Sequence, residues 1–145
     1  MVASLNDLGY AEAEPFSLAV TGEAEGWLPV LEQLVGPTLL RPMFARDEKD
    51  LLDIVQSGSA DAAVLDDEVA WDIGVLSMLR MIRRVNITLP VVIVTSRNDR
   101  RWMEDALRLT AFSILTKPLQ LEPLLRQIRR MMEDLDQFFR GQHGE

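Results

Sequence analysis

"PVVIVTS", residues 90–96, is the stretch on which the fold turns. Four β-branched aliphatic residues run without a polar break from Pro90 into Thr95 and Ser96. A strand with one solvated face alternates apolar and polar residues, whereas one that is apolar on both faces is covered on both, as parallel strands are in α/β folds. "AAVLD", residues 62–66, repeats the pattern and ends on a carboxylate. Working outward, short apolar runs alternate with stretches of helical period: "FSLAV", "GWLPVLEQLVG", "TLLRPMF", "DEKDLLDIVQSG", then, past "AAVLD", "IGVLSMLRMIRR", "LPVVIVT", "RRWMEDALRLT", "FSILT" and "LEPLLRQIRRMMEDLDQFF". Five strands and five helices with short connections predict right-handed crossovers and a doubly wound five-stranded parallel sheet, (βα)5, in three α/β/α layers. Residues 1–14 lack a sustained period and are expected to be a flexible leader, 15–132 the domain, and 133–145 an extension of the last helix with a tail.

Composition narrows the chemistry. A chain of 145 residues fits one domain with a core large enough to need no cross-links. The absence of cysteine rules out disulfides, thiolate catalysis, zinc-finger spacing and iron–sulfur ligation. No basic-plus-apolar leader and no apolar run of roughly 18 residues is present, so the expectation is a cytoplasmic protein without a membrane partner. The net charge of −8 is uneven, with 15 acids and 3 bases in residues 1–75 against 8 acids and 12 bases in 76–145. An acidic domain whose arginines are dispersed along helices has no basic tract for nucleic acid, and direct binding to it is not expected.

In a doubly wound sheet, functional side chains gather at the carboxyl ends of the strands. Here those ends read "LAVTGE", "AVLDD", "VIVTS" and "SILTKP", bringing carboxylate, hydroxyl and ammonium together. "DAAVLD", a glycine eight residues on at Gly74, "LPVVIVTS", and a "TKP" whose lysine falls 22 residues after Thr95 form an ordered set over about residues 15–132. In that set the chain resembles the receiver domain of bacterial response regulators, which implies a flavodoxin-like (CheY-like) fold. The resemblance implies that Asp66 stands at the position accepting a phosphoryl group from a histidine kinase, that Thr95 and Lys117 are the switch and phosphate-binding residues, and that Pro118 matches a proline commonly preceded by a cis bond. A carboxylate attacking phosphorus in line forms a mixed anhydride.

The pattern fails at strand one. Thr21 and Gly22 stand where the family carries two adjacent acids that hold Mg²⁺, and a hard cation competes poorly for such ligands. Phosphoryl transfer depends on that charge, so the chain is identified as an atypical pseudo-receiver with weak or no phosphorylation, and no cofactor is expected; Mg²⁺ enters only if phosphorylation is retained. A rearranged metal site would use Glu23, Asp66 and Glu68. The competing expectation is that Glu23 and Glu25 are first-turn acids of helix one and that Asp67 and Glu68 sit solvated in the loop. Ile114 also stands where many family members carry an aromatic switch residue.

The last helix carries Leu121, Leu124, Leu125, Ile128, Met131, Met132, Leu135, Phe138 and Phe139 in one apolar stripe. A helix of about 21 residues exceeds what one sheet edge covers, so the final turns are expected to overhang and pair with a partner. Ile114, Met132, Leu135, Phe138 and Phe139 are the expected interaction surface, and a homodimer through the last helix is its simplest use. Trp27, Trp71 and Trp102 are expected in core or rim packing, with Trp71 placed to shield the pocket. The only histidine is His143 in the tail, and "TGEAEG" lacks a phosphate-binding glycine pattern, so an enzyme is not expected. The function expected is that of a stand-alone adaptor in two-component signalling, working by binding a sensor histidine kinase or another signalling protein; the alternative is a switch phosphorylated at Asp66.

Overall fold

The computed structural model describes residues 15–68 and 71–143, the side chains of residues 22–23 and 136–143 excepted. Five strands, β1 (Phe16–Val20), β2 (Leu40–Phe44), β3 (Ala62–Asp66), β4 (Val91–Thr95) and β5 (Ser113–Thr116), form one parallel sheet in the order β2-β1-β3-β4-β5. The helices between and after them are α1 (Leu28–Val35), α2 (Glu48–Gln56), α3 (Val75–Val85), α4 (Arg100–Arg108) and α5 (Leu121–His143).

Every residue of β1, β3 and β4 is buried, as strands apolar on both faces require. Successive residues go to opposite layers. Ala63, Leu65, Val91 and Ile93 pack with Leu51, Leu79, Ile82 and Trp102 of α2, α3 and α4, whereas Ala62, Val64, Val92 and Val94 pack with Leu28, Leu31, Leu124, Ile128 and Met131 of α1 and α5. Edge strand β2 carries Pro42, which lacks a ladder donor and is tolerated where one side of the strand has no neighbour. Asp47 and Asp99 cap α2 and α4, accepting from the backbone N–H groups of Asp50 at 2.8 Å and Trp102 at 3.3 Å. Gly36 ends α1 at φ +122°, a conformation a side chain at Cα would strain.

One local expectation is corrected. A separate 3-10 turn at Gly22–Gly26 precedes α1, whose own first turn, opening with Leu28 and Pro29, holds no acid; Glu25 therefore does not serve the α1 dipole. The last helix runs 23 residues, Leu121–His143, about 34 Å at the α-helical rise. Its stripe is spent largely on its own domain, with Leu124, Ile128 and Met131 buried and Leu125, Met132 and Leu135 packed beside them. Phe138 and Phe139 lie outside the described side chains.

Candidate functional site

The sheet order changes direction between β1 and β3, and the crevice at the carboxyl ends of such neighbouring strands is where this architecture places its sites. Thr21 follows β1, Asp66 closes β3, Thr95 closes β4 and Lys117 follows β5, so all four reach one edge. Register decides who meets whom. Asp66 is paired with Val94, and the ladder continues one step as the Asp67 N–H donates to the Val94 carbonyl at 2.8 Å. Asp67 thereby lies beside Thr95 and Glu68 beside Ser96.

Those side chains bond in that alignment. The Thr95 hydroxyl donates to Asp67 Oδ2 at 2.8 Å, and the Ser96 hydroxyl to Glu68 Oε2 at 2.7 Å. Thr95 likewise pairs with Thr116, and the Lys117 N–H donates to the Thr95 carbonyl at 2.8 Å, which puts the lysine next in line. Lys117 Nζ donates to Asp66 Oδ1 at 2.9 Å and Glu68 Oε1 at 2.8 Å. The Lys117–Pro118 peptide bond is cis.

Asp66 is nearly buried; its Oδ1 also accepts the Glu68 N–H at 2.8 Å, and its own N–H donates to Thr21 Oγ1 at 3.0 Å. Thr21 thus satisfies a buried backbone donor. A cavity of about 10 Å³ lies among Thr21, Asp66, Asp67, Trp71, Ile73 and Met78, with Trp71 on its wall. Glu48 steadies that wall, its Oε2 accepting the N–H groups of Asp72 at 2.7 Å and Ile73 at 3.2 Å.

The solvated loop expected for Asp67 and Glu68 is corrected for Asp67 alone, since the Glu68 side chain is 56% exposed. The Asp67 side chain is only 12% exposed, and Arg97 Nε, 3.3 Å from Oδ2, closes over it while its guanidinium sits 5.4 Å from the centre of the Trp102 ring. Arg97, absent from the sequence reading, has one signal in the chain: it stands two residues past Thr95, across aligned strands from the acids that follow Asp66. Ile114 is half-buried against the core on the α2–α4 side. Trp102 is buried in the core and Trp27 packs at its rim.

Opposing charges set the protonation states. Burial works against the Lys117 charge, but its hydrogen bonds to Glu68 and Asp66 outweigh this and raise its pKa above the ordinary 10.5. Hydrogen bonds from Lys117 and then Ser96 lower the Glu68 pKa below 4.5. A raised lysine pKa contributes stability that is present in full below 10.5 and is lost as pH rises through the folded-state value. The gap in thermal midpoint between the native chain and Lys117→Met is therefore expected to hold from neutral pH to near 10.5 and close above it; a pH-independent gap would refute the ion pair.

The Mg²⁺ that this fold family implies finds a poor donor set. Thr21 is occupied by the Asp66 N–H, Asp66 by Lys117, Asp67 by Arg97 and Glu68 by Lys117, so each nearby carboxylate already has a cation. Among the described residues no three His, Cys, Asp or Glu side chains are grouped to hold a metal, and the cavity has room for about one water. The described residues do not fit the ion; the Glu23 side chain lies outside them.

Residues 29–129 match the family model described as the response regulator receiver domain. The chain belongs to the response regulator receiver family. This receiver domain is 32% identical over 89 residues to response regulator MprA of Mycolicibacterium vanbaalenii, a match covering 61% of the chain but only 38% of that relative. Its fold matches a CheY-like response regulator receiver domain protein from Methanospirillum hungatei JF-1 at a TM-score of 0.71 and 14% identity, covering 85% and 98% of the two chains. The non-phosphorylated HemR receiver domain of Leptospira biflexa gives 0.68 at 20% identity, covering 81% and 93%. Both likenesses are of fold. The receiver domain is a part of two-component signalling, and no helix among its described residues is long and apolar enough to cross a membrane.

Proposed function

We propose that this receiver domain is an atypical adaptor, a pseudo-receiver that acts by binding proteins, with weak or no Mg²⁺-dependent phosphorylation at Asp66. The observation that carries the reading is the Asp66 surroundings: a lysine 2.9 Å from its carboxylate and, in place of a neighbouring acid, a threonine bonded to its backbone. A carboxylate neutralised by an ammonium attracts a divalent cation weakly, and without that cation the charge developing in phosphoryl transfer is uncompensated. The adaptor works in the cytoplasm with a sensor histidine kinase or another signalling protein, without catalysing a reaction or touching nucleic acid or membrane. Self-association through α5 is part of the reading. Met132 and Leu135 are already half covered by their own domain, so the dimer surface would centre on Phe138 and Phe139, while Ile114 packs on the opposite, α2–α4 side of the sheet.

One observation favours the switch instead. Among the described residues, Asp66 Oδ2 accepts no hydrogen bond, which leaves a carboxylate oxygen to attack phosphorus. Intact mass after incubation with acetyl phosphate and Mg²⁺ separates the two readings. The adaptor predicts no added phosphoryl group; a stoichiometric gain, lost in Asp66→Asn, would establish the switch.

A further inference from the structure

Three donors at the strand ends point at carboxylates supplied by two consecutive residues, one of the donors, Lys117, holding Asp66 as well. The Thr95 hydroxyl, wholly buried, is held by Asp67; the Lys117 ammonium and the Ser96 hydroxyl take the two oxygens of Glu68, and Arg97 Nε closes over the Asp67 oxygen that Thr95 already binds. The donors come from two strand ends, and the acceptors from a third. We propose that Thr95, Ser96 and Lys117, with Arg97 as a lid, form an oxyanion site whose resident ligands are the protein's own Asp67 and Glu68 carboxylates, so that the pocket is kept in an occupied arrangement and free anions are shut out.

Two features support internal occupancy over a set of incidental ion pairs. The contacts follow the β3–β4 register, Asp67 on Thr95 and Glu68 on Ser96, so the backbone ladder presents the carboxylates without a search by the side chains. A ligand fixed on the adjacent strand end also acts at an effective concentration in the millimolar range or above, which a free anion must exceed to displace it. The Asp67 carboxylate, mostly buried, is further fixed because Arg97 is itself stacked over Trp102. The inference goes beyond the adaptor reading, since it concerns what fills the pocket.

Inorganic phosphate is the probe. Lys49 and Lys117 are the only lysines, so the chain labelled with ¹⁵N-lysine gives two side-chain ammonium signals, and Trp102 beneath Arg97 adds a fluorescence readout. The unmodified chain is expected to show no saturable response up to roughly 10 mM phosphate, the range set by a short tether. Asp67→Asn/Glu68→Gln, with both resident charges removed, is expected to bind phosphate at least about tenfold tighter, and adding Lys117→Ala should abolish that binding. Equal responses of the unmodified chain and the double variant, or none in the double variant, would overturn the proposal. Should the double variant not fold, the unmodified chain still decides. Lys117 ammonium protons held by Asp66 and Glu68 should exchange with water at least about tenfold more slowly than those of Lys49, whose side chain is 84% exposed, and Glu68→Gln should speed them; equal exchange in the two lysines, or no change in Glu68→Gln, would overturn the clamp. Phosphorylation of Asp66 in the mass experiment would remove the adaptor reading, while the phosphate titration of the unphosphorylated chain tests this one separately.

Discussion

Replacing Ile128 by alanine is expected to cost about 3–4 kcal/mol of unfolding free energy, a large part of the stability of a domain this size. Ile128 is wholly buried among Leu124 and Met131 of α5 and the β3 and β4 residues Val64, Val92 and Val94. Losing three carbons there removes their transfer free energy and leaves a void that close-packed strands cannot fill. Arg126→Ala on the solvent side should change stability by less than about 0.5 kcal/mol, because its pairing with Glu122 is exposed and spans 3.8 Å. Urea unfolding with an unchanged m-value is the measurement. The pair of variants also divides α5 by role. If the helix up to Leu135 belonged chiefly to a partner, the Ile128→Ala loss would depend on protein concentration; burial within the domain predicts a loss that does not.

The same helix shows how far the sequence could be read. Its apolar period gave the helix and its buried face, because a stripe sustained over several turns admits one helical answer. The three central strands were legible for a similar reason: with both faces covered, their residues are apolar but for Ser17 and the terminal Asp66 and Thr95. The edges were less so. "TLLRPMF" extends past β2, which begins at Leu40, since an edge strand is half solvated and its pattern weak. The 3-10 turn at Gly22–Gly26 left no period to detect, being barely more than one turn long. At the site, Asp66, Thr95 and Lys117 could be placed because each stands at the end of a recognisable strand. The partners of Asp67 and Glu68 could not, because a run of acids after a strand reads as a solvated loop until the register of the neighbouring strand is known. Once Asp66 is set against Val94, Thr95 and Ser96 become their neighbours by geometry alone.

That geometry also predicts what happens when Lys117 is replaced by methionine. Its ammonium, on a side chain 22% exposed, faces an Asp66 side chain only 9% exposed, so the variant leaves a mostly buried carboxylate with the Glu68 N–H as its remaining donor. A fully buried ion stripped of its partner costs about 3–5 kcal/mol, and the residual exposure here brings the expectation to about 2 kcal/mol. Asp66→Asn should cost less, about 1 kcal/mol, since Lys117 keeps Glu68 and the amide can still accept from the Glu68 N–H. The double variant separates a structural pair from two independent residues. With Asp66 neutral, the lysine has no buried charge to offset, so the combined loss should fall short of the additive value by about 1 kcal/mol or more. An additive result would mean that solvent already screens Asp66, and the lysine would then matter chiefly through Glu68. Coupling of the expected size would mean that the Asp66 carboxylate is held by its lysine as part of the fold, so that any reaction at Asp66 must first break a stabilising ion pair.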